Sequence, residues 1–144
     1  MTFKSNFPQF VRKDEPTGGA AAVNLGDMPE WNLTDLYDGP DSPVLSRDLA
    51  DLDSRIAVFE SHRGKVVNLG GAEFGSAIAA YEAIDELLGK VASYAQLYQS
   101  VDVSDPARGR FYQDTLERLT DLSGRLLFFT LEINRLDDSI LADK

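Results

Sequence analysis

The sequence contains no cysteine and a single histidine, His62. Disulfides and thiolate chemistry are therefore excluded. A hydrolytic zinc centre takes at least two His, or Cys equivalents, plus a carboxylate, and leaves one position open for water. No His-Glu-x-x-His run is present. No catalytic, cofactor-binding or metal-ligating residue is expected in this chain. Basic residues are also scarce: 14 Lys and Arg stand against 24 Asp and Glu, a formal net charge of −10. Duplex nucleic acid and anionic membrane surfaces both call for clustered Lys and Arg, so neither is an expected partner. No stretch approaches the roughly 20 apolar residues that span a bilayer. Met1–Phe10 carries Pro8 and scattered polar residues where a secretory signal would have a charged, then apolar, pattern. The expectation is a soluble cytoplasmic protein.

What is present is enough for one core. Hydrophobic residues make up 43% of 144 residues, which predicts one folded domain. Residues 1–27 have no sustained period. They carry Pro8, Pro16 and Thr17-Gly18-Gly19, which is linker chemistry, and are expected to form a flexible tail. Residues 28–144 are expected to form a helical segment. Its first part, Pro29 to Tyr37, packs Trp31, Leu33, Leu36 and Tyr37 into a short stretch. That density suits an extended arm anchored by large side chains across other elements. Asp38-Gly39-Pro40-Asp41-Ser42-Pro43 ends it as a turn.

Three helices follow. The first is expected to start with Ser42 as N-cap and Pro43 at the first helical position. Its apolar stripe is Leu45, Leu49, Leu52, Ile56 and Phe59. Arg47, Asp48, Asp51, Asp53 and Arg55 fill much of its other face, and Gly64 stops it. The second begins after Gly70-Gly71, with a seam of Phe74, Ile78, Tyr81, Ile84, Leu88, Val91, Ala95 and Leu97 or Tyr98. Gly89 interrupts it, where a kink or a close helix contact is expected. The third starts at Asp105 and Pro106, with a seam of Tyr112, Leu116, Leu119, Leu122, Leu126, Phe129, Ile133 and Leu136. The fold class is all-α: a long antiparallel hairpin, a shorter flanking helix and an extended N-terminal arm. Asp137-Asp138 then opens a further short helix with Ile140 and Leu141.

Leu126-Leu127-Phe128-Phe129 and Leu131 are apolar around most of the third helix. Such a helix is buried on more than one side, and a hairpin partner covers only one. The Leu126–Leu131 face therefore calls for a further surface, either another protein domain or a second copy. The remaining candidates read as structural. His62 suits a helix C-terminus or an exposed site. Glu82, Asp85 and Glu86, and likewise Glu117 and Asp121, read as solvated faces. Tyr94, Tyr98, Tyr112, Phe128 and Phe129 read as core rather than as a peptide groove. Glu132 reads as a partly buried carboxylate paired with an arginine.

Four stretches carry a family likeness. Pro29-Glu30-Trp31-Asn32-Leu33-Thr34-Asp35-Leu36-Tyr37 resembles a Trp-Asp-Leu-Ser-Asp-Leu-Tyr opening, with Asn32 and Thr34 as departures. Phe59 through Gly64-Lys65-Val66 resembles a first-helix exit. Tyr81-Glu82-Ala83-Ile84 with Ser93-Tyr94-Ala95-Gln96-Leu97 resembles a second-helix pattern. Phe128-Phe129-Thr130-Leu131-Glu132-Ile133-Asn134 resembles a Phe-Phe-x-Leu-Glu-Leu stretch. In order and spacing they resemble the N-terminal segment of the oligoendopeptidase F group, in the M3 family of zinc metallopeptidases. The resemblance implies a mostly helical fold around a channel. It also implies a zinc-dependent hydrolase of oligopeptides whose zinc and catalytic residues lie beyond Lys144. This segment would then be non-catalytic scaffold and channel wall, and its partner the catalytic domain. The alternative is a stand-alone helical interaction module that self-associates.

Overall fold

The computed structural model describes residues 32–142, so the expected tail at residues 1–27 and Trp31 lie outside the described residues. Among the described residues the fold is all-α, with no strand. Helix α1 spans Pro43–Phe59, α2 Gly71–Val101, α3 Pro106–Ile133 and α4 Asp138–Ala142. Short 3-10 turns at Glu60–His62 and Val66–Asn68 join α1 to α2. The long α2 and α3 form the hairpin, and α1 lies against both.

The helix ends follow from local chemistry. Pro43 and Pro106 open α1 and α3, where a missing N–H costs nothing. Asp105 caps α3, its Oδ1 accepting the Ala107 N–H at 2.8 Å. Ser42 occupies the cap position of α1, but its buried hydroxyl makes no hydrogen bond. Gly70 precedes α2, and the Glu73 carboxylate reaches back to accept the Gly70 N–H at 3.2 Å. Gly64 ends the exit from α1 with φ +74°, a left-handed conformation that only glycine adopts without strain.

The core runs between the three long helices. Leu52, Ile56 and Phe59 of α1 meet Ile84, Leu88 and Val91 of α2 and Leu119, Leu122, Leu126 and Phe129 of α3. Phe59 is its hub. Its ring lies 5.0 Å from Phe129, 5.9 Å from Phe128 and 6.0 Å from Tyr81, centroid to centroid. At the other end Tyr94 stacks on Tyr98 at 5.8 Å and meets Phe111 edge-on at 6.0 Å.

Several expectations are corrected. Asp48 is buried, not on the solvent face of α1. It sits three residues after Leu45 and four before Leu52, which places it on the apolar stripe itself. In α3 the seam begins with Phe111 and Thr115, not Tyr112 and Leu116; Leu116 is 41% exposed. A one-position shift turns a helix by about 100°, and Phe111 is the ring that reaches Tyr94 and Tyr98.

Gly89 produces neither a break nor a close contact. Helix α2 passes through it unbroken, and a Cβ there would meet nothing within 4 Å. Gly89→Ala is therefore expected to stabilise the fold by about 1 kcal/mol, through helix propensity alone. Urea denaturation followed by circular dichroism checks this; an unchanged or lower midpoint would contradict it.

Candidate functional site

The arm's last residues are tied down by a polar centre. Leu33 accepts the backbone N–H groups of Leu36 (2.9 Å) and Tyr37 (3.1 Å), forming a tight turn that aims Tyr37 inward. The Tyr37 hydroxyl donates to Asp48 Oδ2 at 3.0 Å, and Lys90 Nζ approaches the same oxygen at 3.2 Å. Arg47 donates to Oδ1 at 3.2 Å. The Lys90 ammonium also lies over the Tyr37 ring, 4.3 Å from its centroid. Burial pushes the Asp48 carboxyl upward, but the hydrogen bonds from Lys90, Tyr37 and Arg47 outweigh it and hold it below its ordinary value. Burial, reinforced by the hydrogen bond to Asp48, pushes the Tyr37 hydroxyl well above its ordinary value. Tyr37 therefore stays protonated and Asp48 ionised near neutrality. The pair is an anchor between the arm, α1 and α2. Neither group is poised to exchange a proton near neutral pH.

A second tie joins the α1 exit to the end of α3. Glu132 Oε1 accepts the Gly64 N–H at 2.7 Å, and Oε2 accepts the Val66 N–H at 3.3 Å. Its partners are thus backbone amides and not the arginine expected from the sequence. The nearby arginines act elsewhere. Arg63 donates to the Arg125 carbonyl at 3.1 Å and lies 4.4 Å over the Phe128 ring. Arg125 pairs with Glu60 at 2.7 Å, and Arg118 with Asp53 at 2.8 Å.

The remaining sequence candidates separate cleanly. Glu82, Asp85, Glu86, Glu117 and Asp121 are exposed. Tyr94, Phe128 and Phe129 are buried, and Tyr98 and Tyr112 are half-buried. The Arg108 guanidinium covers the Tyr98 ring at 4.3 Å. His62 packs edge-on against Phe59 at 5.3 Å. It also lies at the rim of an open groove of about 370 Å³ between α1 and α2, lined by Val58, Phe59, Ala80, Ala83 and Ile84. His62 and Glu73 share one shallow hollow, and the other residues lining it are Ala72, Ser76 and Ala77. Among the described residues no three His, Cys, Asp or Glu side chains gather where a metal could bind. The zinc implied by the family likeness therefore has no fitting donor set among the described residues.

The most unusual surface is on α3. At about 100° per residue, Leu116, Thr120, Ser123, Gly124, Leu127 and Leu131 fall on one strip roughly 100° wide. None of the helix's charged residues lies on that strip. Leu127 is 57% exposed and Leu131 46%. Helix α3 thus has three faces. Leu119, Leu122, Leu126 and Phe129 enter the core, Arg118 and Arg125 pair with α1, and the neutral strip faces outward. The excess apolar circumference read from the sequence is only partly resolved internally. Leu126, Phe128 and Phe129 are buried by the chain itself, Phe128 under the Arg63 guanidinium, whereas Leu127 and Leu131 are not. Sequence pattern alone misassigned Leu116 to the core, and so missed a third leucine of the strip.

Compared with protein-family models, curated proteins and solved structures, the chain matches none. No helix among the described residues is long and apolar enough to cross a membrane.

Proposed function

We propose that this chain is a non-catalytic helical scaffold, the N-terminal wall segment of an M3-type, zinc-dependent oligoendopeptidase acting in the cytoplasm. The observation that carries this reading is how the four family-like stretches meet. Tyr37 of the first meets Tyr94 of the third edge-on at 5.1 Å. Phe59 of the second packs against Tyr81 of the third and Phe129 of the fourth. Gly64 and Val66 of the second are held by Glu132 of the fourth. Residues that carry the likeness are thus among those that weld the helices together, as a scaffold's signature would be. The outward strip of α3 supplies the face such a wall needs toward the rest of its enzyme. Peptide hydrolysis would belong to a catalytic domain bearing the zinc.

The test is hydrolysis of a quenched oligopeptide. The 144-residue chain with added zinc is expected to give no turnover above a metal-only blank. Mixed with an M3-type catalytic segment stripped of its own N-terminal helices, it is expected to raise that segment's activity. Turnover by the chain alone would refute the scaffold assignment, and failure to raise activity in the mixture would refute the peptidase assignment. The same strip also favours a second reading, a self-associating helical module.

A further inference from the structure

The Tyr37 hydroxyl is satisfied by Asp48, but the Tyr94 hydroxyl makes no hydrogen bond among the described residues. Tyr94 is only 1% exposed. Its ring is enclosed by Tyr37 at 5.1 Å, Tyr98 at 5.8 Å and Phe111 at 6.0 Å. Burial pushes its hydroxyl above the ordinary value, so it is protonated near neutrality and can donate. Folded proteins leave few buried polar groups unpaired, and each one calls for a partner. Tyr94 lines a cavity of about 260 Å³ between the arm, α2 and the start of α3, and that is where a partner would sit.

Two opposite charges share the cavity. Asp38, beside Tyr37, is exposed and in no ion pair among the described residues. Arg108, on the first turn of α3, is held in place: Nη1 donates to the Tyr98 carbonyl at 2.7 Å, and the guanidinium lies on the Tyr98 ring. Its nearest carboxylate, Asp105, stands at 3.6 Å, beyond hydrogen-bond distance. Nη2 makes no hydrogen bond among the described residues. After burial and Tyr98, both charges act on the Tyr94 hydroxyl, Arg108 lowering its proton affinity and Asp38 raising it, so the three groups converge. Leu33 and Val101 give the cavity an apolar side.

A lone anion there would meet Asp38, and a lone cation would meet Arg108. A molecule carrying both charges satisfies both: its ammonium pairs with Asp38, and its carboxylate takes hydrogen bonds from Arg108 and Tyr94. Drug-sized ligands occupy about 300–1,000 Å³, so this cavity suits something smaller. We propose that it binds a free α-amino acid with an aliphatic side chain, held at its two charges by Asp38 and Arg108 and from within by the Tyr94 hydroxyl. The inference goes beyond the scaffold reading. It needs neither a catalytic domain nor the α3 strip, so failure of one reading leaves the other standing.

Titration of the isotope-labelled full chain with leucine, followed by amide chemical shifts, tests it. Saturable shifts are expected in residues 33–39 and 98–101 and at Arg108, with a Kd of about 1 mM or below. Leucinamide keeps only the ammonium, as the first residue of a peptide does, and N-acetyl-leucine keeps only the carboxylate, as the last does. Each is expected to bind at least about tenfold more weakly. Tyr94→Phe and Asp38→Asn are each expected to weaken leucine binding at least about fivefold. Because the Tyr94 hydroxyl bonds nothing in the fold, Tyr94→Phe is also expected to keep or raise the thermal midpoint. No saturable shift at about 10 mM leucine, a weak affinity even for a small ligand, would overturn the site. Blocked forms that bind as well as leucine would overturn the zwitterion assignment. A Tyr94→Phe chain that melts earlier yet binds leucine like wild type would overturn the role of the hydroxyl, which would then be structural.

Discussion

Phe59→Ala is expected to remove about 3–5 kcal/mol of folding stability. The ring is 3% exposed and touches Tyr81, Phe128 and Phe129, one from α2 and two from α3. Truncation removes the transfer energy of a buried aromatic and leaves a cavity among rings that cannot all close on it. It also removes four ring contacts, His62 included, whose geometry adds to simple burial. Domains of this size commonly have only about 5–15 kcal/mol in total, so the variant should sit near the edge of folding at body temperature. Phe59→Leu keeps most of the volume and is expected to lose clearly less. Urea titration of both variants measures the difference. Equal losses would mean that the retained volume recovers nothing, and would contradict the cavity argument.

Asp48→Ala is expected to cost about 2–3 kcal/mol. The Tyr37 hydroxyl would be left buried without an acceptor, and Lys90 without its counter-charge. The loss stays below that of a sealed ion pair because the Lys90 side chain is 36% exposed and can hydrate. The pH dependence has a defined sign. Because the folded Asp48 carboxyl is held below its ordinary value of 3.8, its contribution is fully present above about pH 4. It is lost as pH falls through the folded value. Wild type and Asp48→Asn should therefore converge in stability in strong acid and diverge near neutrality. Tyr37 acts at the other end. Its folded value is raised, so its contribution is present below pH 10, its ordinary value, and is lost as pH rises further. A constant difference between wild type and Asp48→Asn from pH 2 to 7 would contradict the assignment.

The helices were legible because proline and glycine punctuate the chain at each end, and because apolar residues recur at helical spacing. What escaped the sequence was the meaning of single polar positions on those same stripes. Asp48 reads as surface by its charge, although its spacing from Leu45 and Leu52 places it inward. Tyr37 and Lys90, 11 and 42 residues away, join the neighbouring Arg47 to make that burial tolerable. Ser42 occupies a capping position by sequence, yet its hydroxyl caps nothing. Glu132 was legible as a half-buried carboxylate, but not its partners, since backbone amides leave no trace in a residue pattern. On α3, Phe111 and Tyr112 are adjacent aromatics, and choosing Tyr112 moves the start of the seam by one position, although the seam from Leu119 onward is unaffected. That choice hid Leu116. The outward leucines at 127 and 131 were legible as an apolar run too wide for one neighbour.

The clasp at Glu132 makes the beginning of the fold wait for its end. Two amides near residue 65 depend on a carboxylate 66 to 68 positions later. During synthesis α1 and α2 leave the ribosome well before the final turn of α3. Until that turn arrives, the Gly64 bend has no acceptor to fix it and the α1 exit can sample other directions. Locking of this helical unit is therefore a late event, and a chain stopped short of Glu132 would carry α1, α2 and nearly all of α3 without the latch that closes them.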